Sequence, residues 1–229
     1  MPTRRVNAFE SFPSSRHRPG RRDEEPESQW GAAASARPAT MGMPMAAYPK
    51  ELEREVALRD GARLRLRPIR PEDQERLVAF YDRLSRHTAY QRFFTVMRRL
   101  PPDWAHLLAN VDYERRLALL AEHGPPEAPD LVGVARYEPT DQADTAEIAF
   151  VIQDGWQNRG LGTLMLDALL AAAEARNIRR FRAYVLANNA RMIDLLVRFT
   201  NVQERRMESG VTELLLTRRP APAVTGMGR

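Results

Sequence analysis

Apolar and polar positions alternate with period two over ARLRLRPI, Ala62 to Ile69, the pattern of a half-buried strand. The next segment, RPEDQERLVAFYDRLS, opens on a proline and acids and puts Leu77, Phe80, Tyr81 and Leu84 on one helical face, which predicts a helix. YQRFFTVM and PPDWAHLLANV read as shorter helical pieces. RRLALLAEH and DLVGVARYEP are strand-like runs joined by the turn-rich GPPEAPD, so a hairpin is expected. TAEIAFVIQ, Thr145 to Gln153, is apolar on both faces, which marks a central strand covered on two sides. A helix, LGTLMLDALLAAAEARN, follows it; then come a strand, IRRFRAYVL, a helix opened by ANNARMIDLLVRF, and two closing strands, VQERRMES and VTELLLT, meeting near Gly210. The fold class is α/β in its α+β form: a mixed, mostly antiparallel twisted sheet with helices on both faces, not a run of parallel βαβ units.

Composition narrows what such a fold does. The chain has 229 residues, 43% of them hydrophobic, which suits one domain with extensions. It has no cysteine, which excludes disulfides, thiolate nucleophiles and sulfur-ligated zinc and suits a reducing cytoplasm. No run of eighteen apolar residues is present, so no membrane-spanning helix is expected. The pI near 10.0 invites a nucleic-acid reading, but the charge is unevenly placed. Residues 1–50 carry eight Lys or Arg against five acids, residues 51–217 carry 24 against 25, and residues 218–229 carry three against none. The basic excess sits in the two ends and the body is near neutral, which argues against nucleic acid as the partner of the body.

The ends lack hydrophobic periodicity and mix Pro, Ser, Arg and Gly, so 1–50 and 218–229 are expected to be disordered extensions of a domain at 51–217. The early arginines precede no apolar h-region and the acids of RRDEEPES do not suit a transit peptide, so the expected location is cytoplasmic. Met41, Met43 and Met45 stand as alternative start positions.

Chemistry concentrates at the junction of the central strand and the helix after it. There QNRGLG sets Gly160 and Gly162 at a helix start, where unpaired N–H groups and a partial positive charge hold phosphate oxygens if no side chain shields them. Arg159 adds a cation. A P-loop would need Gly-Lys-Ser/Thr, and a dinucleotide fingerprint would need glycine at Met165; both are missing. A glycine-containing loop without a ligand is the plain alternative. Glu147 stands out for a different reason. It interrupts a strand otherwise apolar from Ala146 to Ile152, where an ionised carboxylate costs several kcal/mol unless solvated, paired or protonated. It is either a general base or the ion-pair partner of an arginine such as Arg136 or Arg182.

The turn resembles the Q-x-x-G-x-G signature of the GNAT acetyltransferase superfamily, and the order of elements from Arg63 to Thr217 is similar to the GNAT fold. The resemblance implies acetyl-CoA as co-substrate, no metal, and a pyrophosphate held by Gln157, Asn158, Arg159, Gly160, Leu161 and Gly162. VLANNARMIDLLVRF looks like the family's Asn-x-x-Met signature, which implies that Asn189 borders the pantetheine arm. A glutamate on this strand is the base in many relatives, which favours that role for Glu147. The thioester carbonyl is expected where the strand ending at Val151 and Ile152 parts from the one ending at Val185 and Leu186, with a backbone N–H of the former as oxyanion donor.

LRPIRPED, RFF, GVARY and AEIAFVI together look like single-domain relatives of the bacterial protein lysine acetyltransferases, which implies an amine acceptor such as a lysine on an acyl-CoA synthetase. Protein N-termini, polyamines and antibiotics are amines too, and the pattern does not choose among them; it also leaves the oligomeric state open. Two departures are visible: Phe199, Thr200 and Asn201 stand where many relatives have Gly-Phe, and the helix lacks the tyrosine that often serves as general acid. A non-catalytic acyl-CoA sensor, and a nucleic-acid-binding protein using the arginine-rich ends, therefore stay open as other classes. His87, His106 and His123 have no metal spacing, RFF reads as helix core more than substrate wall, and Trp156 reads as packing beside the turn.

Overall fold

A computed structural model describes residues 46–219. The two extensions lie outside the described residues apart from 46–50 and 218–219. Packing begins at the very start of the described part: Ala46 and Tyr48 lie against the core, and the Tyr48 ring meets that of Tyr113 edge-on at 5.6 Å.

Eight strands form one sheet in the order β1-β2-β3-β4-β5-β6-β8-β7. They are β1 (Arg54–Ala57), β2 (Arg63–Pro68), β3 (Leu117–His123), β4 (Asp130–Pro139), β5 (Thr145–Ile152), β6 (Arg180–Leu186), β7 (Thr200–Glu208) and β8 (Val211–Arg218). Every neighbouring pair is antiparallel except β5 and β6. That one parallel pair requires a crossover, which the helix α4 (Leu161–Glu174) provides. The expected β3–β4 hairpin forms, with a register shift between Ala121 and Glu122.

Helices cover both faces. α1 (Gln74–Asp82), α2 (Arg86–Phe93) and α3 (Pro102–Ala109) lie on one side, where Arg136 of β4 reaches the carbonyl of Leu108. α4 lies on the other, against Gly133 of β4, where an added Cβ would fall 2.9 Å from Met165 Sδ. Met165 thus occupies the space that the bare Gly133 leaves. α5 (Ala190–Phe199) packs beside α4. The centre is apolar and closed, with Leu117, Leu119, Tyr137, Phe181, Leu214 and Leu216 buried. Among the described residues no helix is long and apolar enough to cross a membrane.

Two elements differ from expectation. β1 was not foreseen from the pattern, and its burial explains why: none of its four residues is buried, so the strand has no alternation to read. Its ladder to β2 holds it, closed by a turn in which Ala62 N–H donates to Asp60 Oδ1 at 3.1 Å and Gly61 adopts φ of 85°. α2 starts at Arg86, four residues before the expected piece, because Ser85 caps it by accepting from Thr88 N–H at 3.1 Å. It stops when Phe94 turns left-handed at φ of 58°, so Thr95 to Met97 are not helical.

Candidate functional site

The sheet opens in one place. β5 and β6 pair only from Thr145 with Arg180 to Glu147 with Arg182, after which the two strands part, while β4–β5 and β6–β8 stay paired along their length. The parting leaves two strand edges facing a wedge, with backbone N–H and C=O groups that lack a sheet partner. A cavity of about 1370 Å³ occupies it, lined by Val151, Ile152 and Val185 among others.

The glycine turn forms one wall of this cavity. Gly160 sits at the N-cap of α4 with φ of 90°, and an added Cβ there would meet nothing within 4 Å. Glycine is needed for the backbone angle, and the space above it stays open. Gly162 is bare for another reason. A Cβ at that position would fall 3.3 Å from Leu195 Cδ2 and 3.4 Å from Ile152 Cδ1, so the missing side chain lets α5 and β5 close on α4. The first turn of α4, whose N–H groups have no partner within the helix, borders the cavity through Gly160, Gly162 and Thr163. Gln157, Asn158, Arg159, Gly160 and Gly162 all line the cavity; the Leu161 side chain is fully buried in the core, which leaves only its backbone at the turn.

Hydrogen bonds hold the turn in place. Gln157 donates to the Ile152 carbonyl at 2.9 Å and to Thr88 Oγ1 at 3.2 Å, and accepts from Arg191 at 2.5 Å, so it ties β5, α2 and α5 together. Asp154 accepts from Ser85 N–H at 2.9 Å, Ser85 Oγ at 2.7 Å and Thr88 Oγ1 at 2.7 Å. Burial alone would raise its pKa, but these bonds hold it below the usual value. Arg159 lies between the Asp60 carboxylate, 2.5 Å from its Nε, and the Trp156 ring, 4.1 Å from its guanidinium carbon. Asn189 caps α5, accepting from Met192 N–H at 3.2 Å, and lines the same cavity.

Glu147 lines the cavity on the α2 side, opposite Glu138 of β4. The ion-pair reading does not describe it: Arg136 is committed to Glu138, and Arg182 Nε lies 3.1 Å from Glu213. Its Oε2 is buried without a hydrogen-bond partner. Burial lifts its pKa to about 7; Glu138 adds to the rise, and Arg92 and Arg182 oppose it. A carboxyl of this kind exchanges protons near neutrality. The RFF segment is split by the structure. Arg92 and Phe94 line the cavity, and Phe93 packs on Tyr81 and Trp104. Burial, with Arg136 nearby, lowers the Arg92 pKa to about 10, which leaves it a cation at neutral pH.

The fold agrees with the comparisons to known proteins. The Acetyltransferase (GNAT) domain family matches residues 63–199. Acetyltransferase PA5475 of Pseudomonas aeruginosa is 31% identical over 140 residues, 61% of this chain and 75% of that protein. Acetyltransferase Pat of Mycolicibacterium smegmatis is 31% identical over 151 residues, 66% of this chain but only 44% of Pat. The GNAT domain of S. lividans PAT superposes with a TM-score of 0.68 at 36% identity, covering 74% of this chain and 99% of that domain. The chain belongs to the GNAT acetyltransferase family and has the fold of an N-acetyltransferase.

Proposed function

We propose that this protein transfers an acetyl group from acetyl-CoA directly to a primary amine, with Glu147 as general base. The observation that carries the reading is a half-buried carboxyl whose Oε2 is buried and unbonded and whose pKa is lifted to about 7, in the same cavity as an open, glycine-started helix. An amine of pKa about 10.4 is almost wholly protonated at neutral pH, so it must give up a proton before it attacks. Glu147 accepts that proton, directly or through a water. The amine nitrogen then bonds to the thioester carbon, a free N–H at the edge of β5 steadies the carbonyl oxygen, and the C–S bond breaks. CoA leaves as a thiolate and takes up, directly or through water, the second proton that the nitrogen sheds as the amide forms; at about pKa 8.5 for a thiol it needs no strong acid. The turn of Gln157 to Gly162 suits the pyrophosphate, and Val151, Ile152 and Asn189 suit the pantetheine arm. The resemblance to protein lysine acetyltransferases supports a protein lysine as acceptor.

The test is acetyl-CoA turnover against a panel: acyl-CoA synthetases and other lysine-bearing proteins, free N-termini and polyamines. CoA release that depends on the amine, with an acetyl mass added to it, is the expected result. Acetyl-CoA binding with no turnover on any amine would leave the sensor reading in its place.

The turn makes a separate prediction. Gly160→Val forces a side chain into a left-handed angle that strains the backbone by about 1–3 kcal/mol and fills the open space, so acetyl-CoA affinity should fall at least about tenfold in a folded protein. Gly162→Ala presses on Leu195 and should lower thermal stability more than affinity. Calorimetry with acetyl-CoA and a melting curve on each variant distinguish them; unchanged affinity in Gly160→Val would remove the turn from the cofactor site.

A further inference from the structure

β4 and β5 pair from Gly133 with Ile152 to Pro139 with Ala146 without a break, and this register sets Glu138 directly opposite Glu147. Directly opposed side chains of an antiparallel pair share a face, with Cβ atoms about 4.5–5.5 Å apart. Two carboxyls so placed cannot both ionise cheaply. Their surroundings treat them differently. Arg116 Nε donates to Glu138 Oε2 at 2.6 Å, and Arg136 Nε donates to Glu138 Oε1 at 2.8 Å. Arg116 is itself anchored, donating to the carbonyls of Asn110 and Leu107 at 3.1 Å each. Neither arginine is paired with Glu147.

We propose that Glu138 is a positioning residue for the reaction: an anion fixed by Arg116 and Arg136 directly across the ladder from Glu147, whose charge acts on the carboxyl that takes the amine's proton. The proposal rests on Glu147 being the base. Burial holds Glu138 toward the acid form, but Arg136 and Arg116 outweigh it and keep its pKa below the usual carboxylate value. Glu147 lacks such clamps and is displaced in the other direction. A pair of carboxyls whose surroundings drive them apart is how one site holds an anion and a base side by side. The other charged groups that act on Glu147 are Arg182 from β6, its partner in the register, and Arg92 from α2, while Tyr184 of β6 and His87 of α2 line the same cavity. Arg92 and Arg182 favour the ionised form, so Glu138 acts against them.

The test reads the Glu147 carboxyl directly, by carbon-13 NMR titration of protein labelled at glutamate, with the resonance assigned by its loss in Glu147→Gln. Glu138→Gln removes the anion and frees two cations, both of which favour ionised Glu147, so its titration should move down by about one pH unit or more. Arg116→Gln strips part of the counter-charge from Glu138 and should move it up. Glu138→Asp keeps the charge and should stay near the parent protein. The break in the pH–rate profile should follow the same order. A structural role alone would lower melting temperature in both charge variants and leave the Glu147 titration where it was, which overturns the proposal. Should Glu138→Gln not fold, Arg116→Gln decides alone, since an unmoved or lowered titration there also overturns it. If the NMR shifts appear but the rate profile ignores Glu147→Gln, the base assignment fails while the electrostatic coupling stands.

Discussion

Glu147→Gln should lower acetyl transfer by on the order of a hundredfold or more at pH 7 and leave acetyl-CoA affinity unchanged. Glutamine keeps the shape and a hydrogen-bonding head but takes no proton at neutral pH, so the loss falls on turnover. Because burial lifts the Glu147 pKa to about 7, the parent enzyme should gain activity as pH rises through that value, and the variant should lose this break. Raising the pH should return part of the variant's rate, since more of the amine is then already neutral. Stability gives an independent sign. A carboxyl with a folded pKa above its unfolded value holds its proton more tightly in the fold, so its contribution to stability falls as pH rises from about 4.5 to about 7. Removing the carboxyl should therefore leave the melting temperature at pH 8 equal or higher. An ion-pair partner would behave in the opposite way. A stable variant with near-normal turnover at pH 7 would end the general-base assignment.

What was legible in the chain follows how local its causes are. The central strand and α4 announced themselves because β5 is apolar on both faces and α4 is built from strong helix formers, with Gly160 at its start. Glu147 was visible as one polar residue in an apolar strand. Its partner was not, because Glu138 gains meaning only from the β4–β5 register, which brings together residues nine apart through a hairpin. The start of α2 is hidden in the sequence for a similar reason. Its sequence, RHTAYQRF, is mostly polar, and its N-terminus is fixed by Asp154 from the far side of the chain, 69 residues from Ser85. The two glycines of the turn looked equivalent in sequence. Only the packing separates a glycine required for its backbone angle from one required for the approach of Leu195.

Arg67→Met should be the most destabilising single change outside the cavity, costing about 3–5 kcal/mol and lowering the melting temperature by roughly 10 °C. Arg67, Asp73 and Glu122 are 5%, 4% and 2% exposed, and they hold β2, the entry to α1 and β3 together. Arg67 donates to both oxygens of Asp73, at 2.7 and 2.6 Å, and to Glu122 at 2.7 Å. Arg76 adds bonds to Asp73 at 3.0 Å and to Glu122 at 2.5 Å. Methionine fills much of the volume but leaves two buried acids with one guanidinium between them, and an uncompensated buried charge costs far more than the pair contributes. Arg67→Lys keeps a cation but loses the two-pronged fork, so it should recover only part of the loss. The pH dependence identifies the cause. Burial would raise the Asp73 pKa, but Arg67 and the Arg70 N–H bring it below the usual value, so the native protein draws stability from ionised Asp73 above about pH 4 and loses it as pH falls through the folded value. Without Arg67 that contribution largely disappears, so the gap between variant and parent should be widest at pH 7.5 and narrow toward pH 3.5. Urea unfolding at both pH values measures it, and a gap that stays constant would mean that Arg67 contributes through packing rather than through charge.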